Sequence, residues 1–394
     1  MKFEKLKNIV EVKKGKKPSF VDNPDENSVR VLQIDDLRND TNPKFTNEKT
    51  GVFAKEDDVL IAWDGANART IGYGKSGYIG STIALLRKKR PDLYSTTFIG
   101  LFLQSQYQYL RSKTTGATIP HISRKALNEL EVPVISVNDQ LHIANLLRKA
   151  ENLIAQRKES IRLLDEFLKS TFLEMFGDPK TNEKGFEIKN LTEFYINPKD
   201  GTKCGPFGSA LKKDEYTEIG IPVWTMDNIL KTGEFNEFGC LFVSEEKHIE
   251  LERYNARNGD IIISRAGTVG KMCIIKTEAK KSVISSNLIR LRLGKDLMPI
   301  YFYSLMKYCQ SRVIKLKHGN EDAYTHMSTG VLDEINFPYP SIELQIQFAQ
   351  IVEKTEALKT QYQQSLKELK SLYGSLSQKA FRGELKNAKI LEPS

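Results

Sequence analysis

The sequence is poor in the residues that build metal centres and disulfide-bonded scaffolds. Its 394 residues include four cysteines and five histidines, and no two cysteines form a Cys-x-x-Cys pair. This spacing does not suit a zinc site, so we expect reduced thiols and no metal. There is no run of about 18 apolar residues, and the N-terminus has no apolar signal core. We therefore expect a cytoplasmic protein without membrane attachment.

Catalytic signatures are also missing. Segment 267–272 has too few residues between its glycines for a phosphate loop, and Met272 stands where Ser or Thr is required. Segment 72–77 fits Gly-x-Gly-x-x-Gly, but the residues after it predict no helix for a dinucleotide site. No Gly-x-Ser-x-Gly or His-Glu-x-x-His motif occurs. We expect no catalytic residues, and no cofactor bound by this chain.

Positive charge is what the sequence has in surplus. Lys and Arg number 59 against 50 Asp and Glu, a net charge of +9, and 40% of the residues are hydrophobic. The apolar content excludes wholesale disorder, and the length suits two or three domains. The surplus favours a polyanionic partner such as nucleic acid, with simple solubility as the alternative.

The chain repeats itself once. His121 and Pro133 match His326 and Pro338 at a constant interval of 205 residues, and segment 58–61 matches 260–263 at an interval of 202. Short apolar, β-branched runs bounded by Gly, Asn and Asp predict strands in each copy. Each copy is therefore a β-rich unit followed by a helical one.

The helical parts carry apolar residues at alternating spacings of three and four, with almost no Pro or Gly. We expect the two stripes to pack on each other as an antiparallel coiled coil. The alternative is two separate helices, each packed on its own domain. The predicted interface residues are Leu147, Ile154, Ile161, Leu164 and Leu168 in the first helix and Val352, Tyr362, Leu366, Leu369 and Leu376 in the second.

Basic and polar loops occupy corresponding places in the two β-rich units. Arg can bind guanine, Asn can bind adenine, and Lys can bind phosphates, so these loops are chemically able to contact DNA. Surface ion pairs and solvated charge runs are the alternative, and for the histidines so is packing or capping. The candidate DNA-binding residues are Lys14, Lys16, Lys17, Trp63, Asn67, Arg69, Lys88, Lys89 and His121 in the first copy and Phe207, Lys212, Lys213, Arg265, Thr268, Lys271 and His326 in the second.

Several further segments support a family resemblance. Strand-proline elements at 132–134 and 337–340 precede the helical parts, each with Gln seven residues beyond its first Pro, and similar segments at 172–179 and 380–385 close them. Gly205–Ser209 looks like the opening loop of many recognition domains. Together with the two-copy plan, these features make nearly the whole chain resemble the specificity (S) subunits of type I restriction-modification systems.

The resemblance implies an α+β fold: two mixed α/β target recognition domains joined by two long helices that form an antiparallel coiled coil, in a pseudo-two-fold tandem repeat. The predicted boundaries are 1–138 for the first recognition domain, 139–178 for the central spacer helix, 179–343 for the second recognition domain, 344–385 for the C-terminal spacer helix and 386–394 for a tail. Segment 63–65 departs from the Arg-Ala-Gly of the second copy, so contact residues cannot be transferred between copies.

The resemblance also implies a non-catalytic DNA-binding chain. Each recognition domain would read one half of a bipartite asymmetric double-stranded target, and the coiled coil would set the gap. Partners would be two methyltransferase (M) and two restriction (R) subunits, which would use S-adenosylmethionine, ATP and Mg. The alternatives are a non-catalytic coiled-coil scaffold and a fragment of a type IIG-like modification enzyme.

Overall fold

The computed structural model describes residues 2–38, 41–65, 68, 70–114, 121–207, 210–313 and 327–385. Helices and strands are mixed along the chain, in agreement with the predicted α+β class. The described residues fall into two compact units: the first holds residues up to Glu159 and from Gln363 onward, and the second holds Ser160–Tyr362. No helix among the described residues is long and apolar enough to cross a membrane.

The first unit contains three small sheets. In chain order its strands are β1 (Phe3–Lys5), β2 (Val10–Lys14), β3 (Val29–Leu32), β4 (Lys44–Thr46), β5 (Phe53–Ala54), β6 (Val59–Ala62), β7 (Ile71–Tyr73), β8 (Gly77–Ile79), β9 (Ile83–Lys88) and β10 (Glu131–Pro133). The strand orders are β2-β9-β6-β7, β4-β3-β8-β5 and β1-β10. All pairs are antiparallel except β3 with β8, which is parallel.

Helices cover the β2-β9-β6-β7 sheet of the first unit. They are α1 (Leu6–Ile9), α2 (Thr96–Ser105), α3 (Tyr107–Ser112), α4 (Arg124–Asn128) and the first part of the long helix α5 (Val137–Phe176). β6 is a short apolar run buried on both faces, as expected of a central strand. Phe98 and Phe102 of α2 each lie 5.5 Å from the ring of Phe381, which brings the C-terminal helix into this core.

The second unit repeats most of these pairings. Its strands are β11 (Glu187–Asn190), β12 (Thr202–Cys204), β13 (Tyr216–Thr217), β14 (Ile221–Trp224), β15 (Leu241–Val243), β16 (Ile261–Ser264), β17 (Met272–Ile274), β18 (Val283–Ile284), β19 (Leu288–Leu291) and β20 (Asn336–Tyr339). The orders are β12-β19-β16-β17, β13-β15-β14-β18 and β11-β20, and among these described strands only the β14–β18 pair is parallel. One outer strand differs between the units: β13 pairs with β15, whereas β5 of the first unit pairs with β8.

The helices of the second unit are α6 (Glu245–Glu250), α7 (Pro299–Val313), α8 (Thr329–Asp333), the end of α5 and the start of the long helix α9 (Ile342–Arg382). Phe172 of α5 stacks on Tyr301 of α7 at 5.8 Å and meets Phe348 of α9 at 5.5 Å. These aromatic rings tie both long helices to the core of this unit.

A buried glutamine fixes the start of each long helix. In the first unit Gln140 accepts from the Ser95 N–H at 2.8 Å and donates to the Leu93 and Ile135 carbonyls. In the second unit Gln345 accepts from the Met298 N–H at 2.9 Å and donates to the Pro340 carbonyl. Because a buried amide must satisfy its hydrogen bonds, these contacts attach each long helix to the segment before α2 or α7.

The long helices contact each other inside each unit. In the first, the Tyr373 hydroxyl of α9 donates to the Glu151 carboxylate of α5 at 2.8 Å. In the second, the Lys359 ammonium of α9 lies 2.8 Å from the Asp165 carboxylate of α5. Lys359 is buried, and the carboxylates of Glu234 and Glu356 lie 3.5 and 3.8 Å from its ammonium.

Candidate nucleic-acid interface

The loop after β6 carries predicted contact residues of the first unit. The Trp63 N–H donates to the Thr82 carbonyl at 2.7 Å, and the Trp63 carbonyl accepts from the Ile122 N–H at 3.1 Å. The Trp63 ring is partly buried and packs on the core of the unit. Asn67 and Arg69, predicted for the same loop, lie outside the described residues.

Asp64 gathers two of the predicted DNA-binding side chains. Its carboxylate lies 2.7 Å from the Lys14 ammonium and 2.6 Å from His121 Nδ1. Burial alone would raise the pKa of Asp64, but the hydrogen bonds with Lys14 and His121 outweigh burial, so the pKa is lowered. Lys14 and His121 thus lie together beside Trp63, each engaged with an ionised carboxylate.

The loop after β16 has the same backbone scaffold in the second unit. The Arg265 N–H donates to the Asn287 carbonyl at 2.9 Å, and the Arg265 carbonyl accepts from the Met327 N–H at 2.9 Å. The Ser264 hydroxyl closes the loop by donating to the Thr268 carbonyl and accepting from the Lys271 N–H at 3.0 Å. Arg265 therefore occupies the place that Trp63 occupies in the first unit.

Arg265 and Phe207 form a stacked pair. The guanidinium carbon lies 4.5 Å from the centre of the Phe207 ring, within the range of a cation–π interaction. Nε and Nη1 of Arg265 are buried and have no hydrogen-bond partner among the described residues. The Phe207 side chain is 59% exposed, whereas Arg265 is partly buried, so an exposed aromatic ring lies against a partly buried cation.

The remaining predicted lysines lie mostly at the surface. Lys16, Lys17, Lys212 and Lys213 are exposed, as is Thr268, whereas Lys88 and Lys271 are partly buried. Lys89 is exposed and donates to the Lys7 carbonyl at 2.8 Å. His326 lies outside the described residues. The structure thus groups Lys14, Trp63 and His121 in one unit and Phe207, Arg265, Thr268 and Lys271 in the other.

The predicted interface residues of the long helices are buried or partly buried throughout. The buried ones are Leu147, Leu168 and Val352, and the partly buried ones are Ile154, Ile161, Leu164, Tyr362, Leu366, Leu369 and Leu376.

Sequence reasoning missed two features of these loops. It did not identify Asp64 as the residue that holds Lys14 and His121, although an acid in an otherwise basic set was a visible signal. It also assigned Phe207 and Arg265 separately, because residues 58 positions apart give no sign that their side chains stack. Among the described residues, no cluster of His, Cys, Asp and Glu is arranged to hold a metal ion.

Two α+β units thus share the sheet orders β2-β9-β6-β7 and β12-β19-β16-β17, and in each a polar loop follows the central strand β6 or β16. The sequence model of the type I restriction modification DNA specificity domain matches residues 1–163 and 202–371, which is most of the chain. The chain belongs to this family, and the predicted resemblance to type I S subunits is confirmed.

Individual specificity subunits are also similar to this chain in sequence. The MjaVIII specificity subunit of Methanocaldococcus jannaschii is 26% identical over 88% of this chain and 83% of its own length. The EcoBI specificity subunit of Escherichia coli is 20% identical over 91% of this chain and 81% of its own length.

Solved structures share the fold. The S subunit of the type I restriction-modification system from M. genitalium superposes with a TM-score of 0.59 at 19% identity, covering 96% of each chain. A second structure, from work on complex assembly and conformational transition of the type I restriction-modification system, gives a TM-score of 0.61 at 16% identity, covering 98% of each chain.

Proposed function

We propose that this chain is the non-catalytic DNA specificity subunit of a type I restriction-modification complex, in which each unit reads one half of a bipartite asymmetric target. The observation that carries the proposal is the pair of equivalent loops with different side chains. Trp63 and Arg265 have matching backbone hydrogen bonds, yet one presents an indole and the other a guanidinium. One scaffold with two chemistries suits two different half-sites, because base specificity resides in side chains at the groove.

The two long helices act as an antiparallel coiled-coil spacer between the reading loops. Two helix–helix contacts support this arrangement. Going 14 residues forward along α5, from Glu151 to Asp165, moves the contacted residue 14 positions back along α9, from Tyr373 to Lys359. This relation is the one that antiparallel helices require, and 14 residues are two heptads. The recurrence of β2-β9-β6-β7 as β12-β19-β16-β17, and of β1-β10 as β11-β20, supports a tandem, pseudo-two-fold plan.

The helices also dock two M subunits, and R subunits join through that assembly. Exposed apolar side chains support two identical partners, because they recur at the 205-residue interval of the repeat. Leu153 matches Leu358, and Phe167 matches Leu372, with exposures between 36% and 53%. The first unit thus carries Leu153 and Leu372, and the second carries Leu358 and Phe167. S-adenosylmethionine, ATP and Mg are used by the partner subunits.

Methylation mapping tests this function. The chain is co-expressed with its cognate M subunit, and adenine methylation is mapped by single-molecule sequencing. We expect a split asymmetric motif that is methylated only when both chains are present. Binding of S-adenosylmethionine to the purified chain alone would favour a type IIG-like fragment instead. Affinity for duplex DNA that does not fall as salt rises would favour a protein scaffold, since phosphate contacts impose a salt dependence.

A further inference from the structure

We propose that Arg265 and Phe207 form a base-reading pair, and that Arg265 selects a guanine in the half-site contacted by the second unit. This inference rests on the proposed function and assigns a base to one of its loops. Three observations support it: hydrogen bonds fix the backbone of Arg265, two of its side-chain donors have no acceptor among the described residues, and the first unit differs at the equivalent places.

The backbone of Arg265 is fixed on both sides of the side chain. Its N–H and its carbonyl are both used in hydrogen bonds of 2.9 Å, to Asn287 and Met327. In the turn that follows, Gly267 and Gly270 have φ of +70° and +86°, values that residues other than glycine rarely adopt. The Ser264 hydroxyl hydrogen-bonds across this turn to the Thr268 carbonyl and the Lys271 N–H. The position of the guanidinium therefore depends on the side-chain rotamer and on Phe207, because the loop backbone is held.

Two guanidinium nitrogens of Arg265 have no acceptor in the part of the chain that the structure describes. Nε and Nη1 are buried without a hydrogen-bond partner among the described residues, a costly state for polar groups in a native fold. Guanine presents two adjacent acceptors, O6 and N7, in the major groove, and the planar fork of Arg matches them. The exposed ring of Phe207 supports one face of the guanidinium plane at 4.5 Å and adds an aromatic surface beside it.

The first unit has other side chains at the places of Phe207 and Arg265, although the backbone hydrogen bonds at those places are the same. The Gly15 and Gly205 N–H groups donate to the Ile83 and Leu288 carbonyls, both at 2.9 Å. A Cβ at either glycine would lie 2.3 or 1.9 Å from a carbonyl oxygen, so the two glycines are equivalent close approaches of the chain.

Two residues beyond these glycines lie Lys17 and Phe207. Two residues beyond the glycine, the first unit therefore has the cation Lys17 and the second has the aromatic Phe207. After the central strand, the first unit has the aromatic Trp63 and the second has the cation Arg265. The side chains at these two places therefore differ in chemistry between the units, as expected of two loops that read different bases.

The test compares Arg265→Lys, Arg265→Ala and Phe207→Leu in the full complex with M subunits, by methylation sequencing. Arg265→Lys keeps the charge but loses the planar fork. We expect it to relax one G·C position of one half-site by roughly 5- to 150-fold in discrimination, with the other half-site unchanged. Phe207→Leu should relax the same position less. Arg253→Ala is the matched control, because Arg253 also stacks on an aromatic ring of this unit, 4.7 Å from Tyr254, but lies outside the loop.

The outcomes separate the possible roles of Arg265. An unchanged motif with methylation lowered evenly over all sites would make Arg265 a phosphate contact and overturn the proposal. Relaxation by Arg253→Ala at the same position would also overturn it. If Arg265→Ala fails to fold or to bind M, the Arg265→Lys motif still decides. Absence of any split motif in the unaltered complex would reject the proposed function itself.

Discussion

At the scale of single residues, an aspartate–arginine pair recurs at the same place in both units. Arg87 donates Nε and Nη2 to the two carboxylate oxygens of Asp58 at 3.0 and 2.6 Å. Arg292 does the same to Asp260 at 2.9 and 2.7 Å. The aspartates were matched in the sequence, but their partners were not. Arg87 stands in a run of four basic residues, and a run of like charges does not show which member faces a carboxylate in the sheet.

Replacing these aspartates should destabilise the two units unequally. Asp260→Asn leaves the buried Arg292 without its full counter-charge, and we expect a loss of roughly 3 kcal/mol in the free energy of unfolding. Asp58→Asn should cost less, because the Arg87 side chain is 34% exposed and water can solvate it, whereas that of Arg292 is 5% exposed. Urea unfolding followed by circular dichroism measures both. An equal loss in the two variants would contradict this account.

At the scale of elements, the sequence predicted what periodicity reveals. The apolar runs after Asp58 and Asp260 are the central strands β6 and β16, and the stripes with heptad spacing lie within α5 and α9. Periodicity did not reveal Lys359, which lies in the stripe of α9 between Thr355 and Tyr362. Burial alone would lower the pKa of Lys359, but the hydrogen bond with Asp165 and the nearby carboxylates outweigh burial and raise it. Periodicity cannot predict a buried lysine in an apolar stripe, because Asp165 and Glu234, which lie close to its ammonium, are distant from it in the sequence.

The candidate loops were predictable only in part for a related reason. The repeat located the segments after β6 and β16, because backbone scaffolds recur with the strands that hold them. It did not show that Asp64 contacts Lys14, at the end of β2, and His121, before α4. Nor did it show that Phe207, after β12, packs on Arg265. These contacts join segments that are far apart in the sequence.

The exposed apolar residues of the helices give an element-scale prediction. Leu153→Asp with Leu358→Asp should weaken binding of M subunits at least tenfold, because each helix loses apolar contact area and gains a charge to desolvate. Affinity for M is measured by titration, and helix content by circular dichroism. Leu163→Asp is the control: Leu163 is also exposed, but its equivalent in α9 is Glu368, so a charge is already accepted there. Equal loss of binding in the control would refute the assignment.

At the scale of the whole molecule, the surplus of +9 charges is too small to identify a DNA-binding surface. Cations such as Lys14, Arg87, Arg292 and Lys359 are each engaged by carboxylates. Under the proposed function, the few side chains on the loops after β6 and β16 therefore matter more for specificity than the net charge does. In the proposed function, the distance between those loops depends on the long helices.

Spacer length should accordingly set the gap in the target. We consider a variant with seven residues inserted after Ser160 in α5 and seven after Ser365 in α9, positions that match at the 205-residue interval. A whole heptad keeps the apolar stripe in phase and lengthens each helix by about 10 Å. At about 3.4 Å per base pair, the unread gap should grow by about three base pairs while both half-sites stay the same. Methylation sequencing of the variant complex measures the gap. Insertion into α5 alone should abolish methylation, because the stripes then no longer match, and an unchanged gap in the double insertion would show that the helices do not act as the spacer.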